Sequence, residues 1–209
     1  MNYAANLYLQ HCSTNAANLY LQRCSTNFKD AQDVFNLENH GRVREVGSQA
    51  VWSVSSGRRG HGVSQLRDGD LDTFWQSDGE LPHRIDVQFG RRLSIQAVLI
   101  NVCHDLDENF TPNVVSVSAG NDPHDMRTVG GVSMTRPSGW VLIETEDSEE
   151  RPPRAFCLRL YVHINHQFGM DSRVRQMKVY TPAQETVVST LPEEVTFSSL
   201  ECRMFSRIR

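Results

Sequence analysis

Residues 156–164 read FCLRLYVHI, with Phe156, Leu158, Leu160, Val162 and Ile164 at every second position and Arg159, Tyr161 and His163 between them. A period of two marks a strand with one buried and one wetted face. The period recurs at Ile85, Val87 and Phe89, at Val115, Val117 and Ala119, and at Met177 and Val179. Residues 95–102, IQAVLINV, are apolar on both faces, which predicts a central strand. WVLI at 140–143 is a further short strand. Turns are expected at Gly90-Arg91-Arg92, at GNDP, at Pro137-Ser138-Gly139 and at Thr181-Pro182. No helical stripe follows residue 80. A parallel α/β sheet needs crossovers of about a dozen residues, and there is no room for them. The pattern predicts an all-β sandwich or barrel.

The stretch feeding this array is unusual. Residues 66–79, LRDGDLDTFWQSDG, combine Leu66, Leu71, Phe74 and Trp75 with Asp68, Asp70, Asp72 and Asp78. A regular helix or strand would bury carboxylates. A loop lets the aspartates accept hydrogen bonds from nearby backbone N–H groups while Phe74 and Trp75 plug the core. DGDLD imitates the start of an EF-hand, which then requires Gly at its sixth position and Glu at its twelfth. Thr73 and Gly79 stand there, so that motif is rejected. A calcium site of another kind is the metal reading that survives.

Residues 4–15 and 16–27 are two copies of AANLYLQ(H/R)CSTN, too few for a self-supporting array. They read as an extension, residues 28–43 as a linker or short helix, 44–182 as the domain and 183–209 as a tail. Five widely spaced cysteines without a CxxC fit reduced thiols of the nucleus or cytoplasm. A net charge of −4 argues against a general nucleic-acid binder. No apolar run reaches the roughly 20 residues needed to span a membrane, and the N-terminus lacks the pattern of a signal peptide. No HExxH, GxSxG, Walker or GxGxxG motif occurs, and His163 and His166 on a strand end would point apart. No metal, cofactor or catalytic residue is assigned.

REVGSQAVWSVSS, the acidic loop with RIDVQF, NFTP, PSGW, NHQFGMDSRVRQMKVYTP and the terminal SRIR occur in this order. Together they resemble the DOC-domain subunits of the anaphase-promoting complex. The acidic loop is more loosely similar to discoidin-type, galactose-binding-like domains. The resemblance implies a β-sandwich jelly roll, in a non-catalytic subunit of a ubiquitin ligase. It implies a role in binding the destruction box of mitotic substrates such as cyclins, shared with a WD40 coactivator, which raises processivity. The implied substrate-binding positions are Ser77, Asp78 and Gly79 in the acidic loop. Asn165, His166, Gln167, Gly169 and Asp171 complete them from the loop after the long strand. Ile208 and Arg209 match the family's Ile-Arg tail, which docks in a TPR subunit. The loop departs from the family at Phe168 and Met170, where polar or basic residues are usual.

The chemistry of these positions suits the role. Asp78 or Asp171 can pair with the guanidinium of a destruction box. Asn165, His166 and Gln167 offer donors and acceptors, and Gly169 permits close backbone approach. Two other readings remain. One is a free-standing carbohydrate or lipid-headgroup binder. The other is a glycoside hydrolase using Asp70, Asp72 and Asp78, whose expected role is in turns.

Overall fold

The computed structural model describes residues 28–149 and 151–183. Helix α1, Ala31–Asn39, opens the fold. Asp30 caps it, its carboxylate accepting from the Asp33 N–H at 2.9 Å. Gly41, at φ +70°, helps turn the chain into the first strand. Eleven strands follow: β1 (Val43–Glu45), β2 (Ala50–Val54), β3 (Trp75–Gln76), β4 (His83–Ser94), β5 (Ala97–Cys103), β6 (Pro112–Gly120), β7 (Met126–Ser133), β8 (Ser138–Glu144), β9 (Arg154–Asn165), β10 (Arg173–Val174) and β11 (Gln176–Pro182). Two short helices, α2 (Val63–Arg67) and α3 (His104–Asp107), sit in loops.

The strands form an antiparallel sandwich. One sheet runs β2-β4-β9-β6-β7, the other β1-β11-β5-β8, and β10-β3 make a small ribbon at one end. Between the sheets lie Ile85, Val87 and Phe89 of β4, Leu158, Leu160 and Val162 of β9, and Val115 and Val117 of β6. They pack with Val98, Ile100, Met177 and Val179 of the opposing sheet. Each such side chain, removed from water, is worth about 1.5–3 kcal/mol.

Strand β5 pairs with β11 and β8 and is buried on both faces, which is why its sequence is apolar throughout. Its outer face, Ala97 and Leu99, is covered by α1 through Ala31 and Val34. Residues 28–43 thus contain a packed helix, and Phe28 is already buried.

The long strand departs from the expected phase. Phe156 is exposed while Ala155 and Cys157 are buried. Opposite it, β4 bulges between Gln88 and Leu93. Gly90-Arg91-Arg92 is therefore an irregularity inside one strand rather than a turn. A bulge breaks the simple inward–outward alternation, and β9 inverts its phase there. Strand β7 was not foreseen. Its Gly130 lies so close to β8 that a Cβ would stand 2.1 Å from the Glu144 carbonyl oxygen, so the position excludes the side chain that would reveal a strand.

Candidate functional site: a loop rim at one end of the sandwich

Antiparallel registry brings the start of β4, β6 and β8 to the same end as the finish of β2, β5 and β9. The connections between them gather there: residues 55–82, 104–111, 134–137 and 166–172. The acidic stretch is one of these connections. Leu66 and Trp75 are fully buried, but Leu71 is exposed and Phe74 only half-buried, so Phe74 does not plug the core.

The aspartates build turns. The Asp68 carboxylate accepts from the Asp70 N–H at 2.9 Å and the Thr73 hydroxyl at 2.6 Å; Asp70 accepts from the Asp72 N–H at 2.9 Å. The Gln176 side-chain amide also donates to Asp68, at 2.7 Å. The little burial Asp68 has pushes its pKa up; the bonds from Thr73, Asp70 and Gln176 outweigh that and hold it below the usual carboxylate value. Among the described residues no three His, Cys, Asp or Glu side chains gather as metal ligands would.

Two stretches that are far apart in sequence meet directly at Ser77 and Ser172, 95 residues from each other. The Ser77 N–H donates to the Ser172 carbonyl at 3.0 Å, and the Ser172 N–H returns a bond to the Ser77 hydroxyl at 2.7 Å. Asn165 organises the second loop. Its amide donates to the Gly169 and Asp171 carbonyls at 3.0 and 2.9 Å, and its oxygen accepts from the Ser172 hydroxyl at 2.8 Å. His83, buried under the loop, lies 2.7 Å from the Met170 carbonyl through Nε2.

These contacts divide the expected positions in two. Ser77 and Asn165 are buried, at 0% and 2% exposure, and their polar atoms are spent inside the protein. Gly169 is buried too. Its φ is an ordinary −58°, but a Cβ there would lie 1.8 Å from the Asn109 carbonyl oxygen. The close approach it allows is to the neighbouring loop of the same chain, not to a ligand. These three residues position the rim. Asp78, Gly79 and Gln167 are exposed, and His166 and Asp171 are half-buried. Ile208 and Arg209 lie outside the described residues.

A third loop buttresses the other two. Asp107, at 2% exposure, takes a bidentate pair from Arg175 at 3.0 and 3.0 Å and a longer contact from Arg173 at 3.4 Å. Arg173 is also sandwiched between Phe74 and Phe110, at 4.5 and 4.1 Å from the ring centroids. His61 stacks on Phe74, with ring centroids 4.6 Å apart. This column of His61, Phe74, Arg173 and Phe110 had no local signal in the sequence, because its members come from four separate segments. His104 and His166 face each other with ring centroids 4.7 Å apart. Burial chiefly, then the neighbouring His104, pushes the His166 pKa below the usual value, with Arg136 adding to it against an opposing bond to the Met134 backbone. His166 is therefore a neutral hydrogen-bonding ring at pH 7.

The antiparallel sandwich has the fold of galactose-binding-like domains, as solved structures show. A family 32 carbohydrate-binding module of C. perfringens NanJ, in complex with galactose, matches with a TM-score of 0.57. At 15% identity it covers 66% of this chain and 98% of that one. Two such domains of C. perfringens ZmpB match with a TM-score of 0.60 at 12% identity, over 71% of this chain and 38% of that one. The particular family is given by sequence: residues 25–207 match the model for anaphase-promoting complex, subunit 10 (APC10), and the chain belongs to that family. The human anaphase-promoting complex subunit 10 is 40% identical over 177 residues, 85% of this chain and 94% of its own length. The Drosophila melanogaster subunit 10 is 41% identical over 73% of this chain and 78% of its own. The subunit DOC1 of Saccharomyces cerevisiae is 34% identical over 69% of this chain and 58% of its own. The chain is a subunit of the anaphase-promoting complex, built on a galactose-binding-like jelly roll.

Proposed function

We propose that this subunit is non-catalytic and binds the destruction box of cell-cycle substrates such as cyclins, together with a WD40 coactivator. Bound substrate then stays long enough to receive several ubiquitins. The observation that carries this reading is the direct Ser77–Ser172 junction. It puts the exposed Asp78 in the same rim as His166, Gln167 and Asp171. Carboxylates suit an arginine, while the imidazole and amide suit an extended backbone. The second half of the proposal is that Ile208 and Arg209 dock in a TPR subunit, the aliphatic side chain filling a pocket and the guanidinium fixing orientation. The working compartment is then the nucleus and cytoplasm. The galactose named for the bacterial module is not carried over, since that likeness is one of fold.

The test uses the reconstituted complex. His166→Ala with Asp171→Ala is expected to lower the number of ubiquitins added per substrate encounter, with assembly intact. Removing Ile208 and Arg209 is expected to lower retention of the subunit in the complex. Unchanged processivity in the first case sinks the ligand loop; unchanged retention in the second sinks the tail.

A further inference from the structure

Of the 21 lysines and arginines in the chain only two, Lys29 and Lys178, are lysines; the other 19 are arginines. The two residue types carry the same charge but differ in chemistry. Lysine presents a primary amine that is acylated once it sheds its proton, and it is the residue to which ubiquitin is joined. A guanidinium stays protonated at any physiological pH and is not acylated. The balance therefore bears on a chain that belongs to the anaphase-promoting complex.

Structure accounts for part of the arginine excess. Arg67 pairs with Glu45 and lies over Trp52, Arg175 grips Asp107 with two bonds, and Arg173 lies between Phe74 and Phe110. Each of these places uses a planar, forked cation that an ammonium does not replace. Arg58, Arg59, Arg91 and Arg127 are different. All four are exposed, and among the described residues their side chains make no hydrogen bond, ion pair or ring contact. Arg58 and Arg59 stand on a loop of the rim end. Arg91, in the bulge of β4, and Arg127, paired with Ala119 late in β6, stand towards the other end. A solvated positive charge is all that these places require, and lysine supplies it equally well.

The two lysines differ in access. Lys178 of β11 is half-buried. Its Nζ stands 5.2 Å from the ring centroids of both Phe35, on α1, and Trp140, on β8. These rings meet edge to face, with centroids 5.6 Å apart. Cation–π attraction holds the amine to both, and it must leave them before it can meet a bulky partner. Lys29 is exposed, between the buried Phe28 and the Asp30 cap of α1. Its backbone N–H donates to the Asp33 carboxylate at 2.9 Å, which fixes the residue at the helix start. Its side chain is bonded to nothing among the described residues.

We propose that arginine in place of lysine protects this chain from the ubiquitin its own complex transfers, and that Lys29 is the one side chain left to accept it. The step is an acyl transfer. The Lys29 ammonium gives a proton to solvent. Its nitrogen then bonds the carbonyl carbon of ubiquitin's C-terminal thioester on the conjugating enzyme. The carbon–sulfur bond breaks, and the second proton shed by nitrogen leaves with the sulfur as a thiol. A resident subunit meets that thioester at every round, whereas a substrate meets it only while bound. The proposal rests on membership of a ubiquitin ligase and not on the destruction-box reading.

The test uses the reconstituted complex with a cyclin fragment as substrate, and maps ubiquitin remnants on this chain by mass spectrometry. Modification of the fragment in the same reaction reports that transfer is running. The parent chain is expected to carry side-chain remnants at Lys29 alone, at low occupancy, and Lys29→Arg to carry none. Arg58→Lys, Arg59→Lys, Arg91→Lys and Arg127→Lys, combined in one variant, keep every charge. That variant is expected to gain remnants at the introduced lysines and a several-fold rise in total conjugation, with its melting temperature unchanged. The pair at 58 and 59 and the pair at 91 and 127 are also tested separately, so that a folding loss in one leaves the other to decide. No rise in a variant that melts with the parent overturns the protective role of arginine. Remnants at Lys178, or none at Lys29, overturn the choice of acceptor. The destruction-box reading fails separately, through His166→Ala with Asp171→Ala, without moving these remnants.

Discussion

Replacing Asn165 by alanine removes the side chain that holds the second rim loop. Three groups lose a partner: the Gly169 carbonyl, the Asp171 carbonyl and the Ser172 hydroxyl. The Met170 carbonyl keeps His83. A buried polar group left unsatisfied costs about 1–3 kcal/mol. The Gly169 and Ser172 contacts are buried and the Asp171 contact only partly so, and water entering the vacated space offsets part of the loss. The net expectation is about 3 kcal/mol. For a chain of this size that lowers the melting temperature by about 6–12 °C. Thermal unfolding followed by circular dichroism measures it, with Gln167→Ala, exposed on the same loop, as the control expected to stay within about 0.5 kcal/mol. If Asn165→Ala melts within about 1 °C of the parent, Asn165 is not the organiser of the rim. A role for it in direct ligand contact would then be restored.

Gly169→Ala introduces a Cβ where the Asn109 carbonyl stands, so it is expected to destabilise by about 1–3 kcal/mol and displace residues 104–110. Unchanged stability and unchanged amide shifts in that loop would refute the close packing. Asp107→Ala strands the buried Arg175 guanidinium and is expected to cost about 3–5 kcal/mol, measured by urea unfolding. His166 has a pKa lowered in the folded chain, chiefly by burial, so the unfolded chain binds its proton first as pH falls. Stability is thus expected to decline as pH drops through about 6.5 and to level off below the folded pKa. His166→Gln is expected to flatten that part of the profile, and an unchanged slope would show that other groups carry it.

The sandwich was legible because strand period is a direct consequence of having one wet and one dry face. Ile85, Val87 and Phe89 and their partners on β6, β9 and β11 report it residue by residue. It failed where packing overrode period: at Phe156, opposite a bulge, and at β7, whose glycines are demanded by contact with a neighbouring strand. The acidic half of the rim was legible from residues 66–79 themselves, a carboxylate-rich loop feeding a strand, but the half at 165–171 only through the family's motifs, and those do not distinguish an exposed residue from one that holds the loop. Burial makes that distinction. Ser77, Asn165 and Gly169 turn inward, while Phe168 and Met170, which break the polar character of the loop, turn outward. The buttress of Asp107, Arg173, Arg175, Phe74 and Phe110 depends on tertiary contacts that no spacing in the chain encodes.

The central claim is that a degron lies across the loops at one end of the sandwich. Its most direct test is photo-cross-linking of a destruction-box peptide to the reconstituted, coactivator-bound complex, with the attachment points located by mass spectrometry. The account predicts attachment within residues 77–80 and 166–171 of this subunit, reduced by Asp78→Asn. Attachment to the outer face of the five-stranded sheet, at Arg84 or Tyr161, or to the coactivator alone, would contradict it.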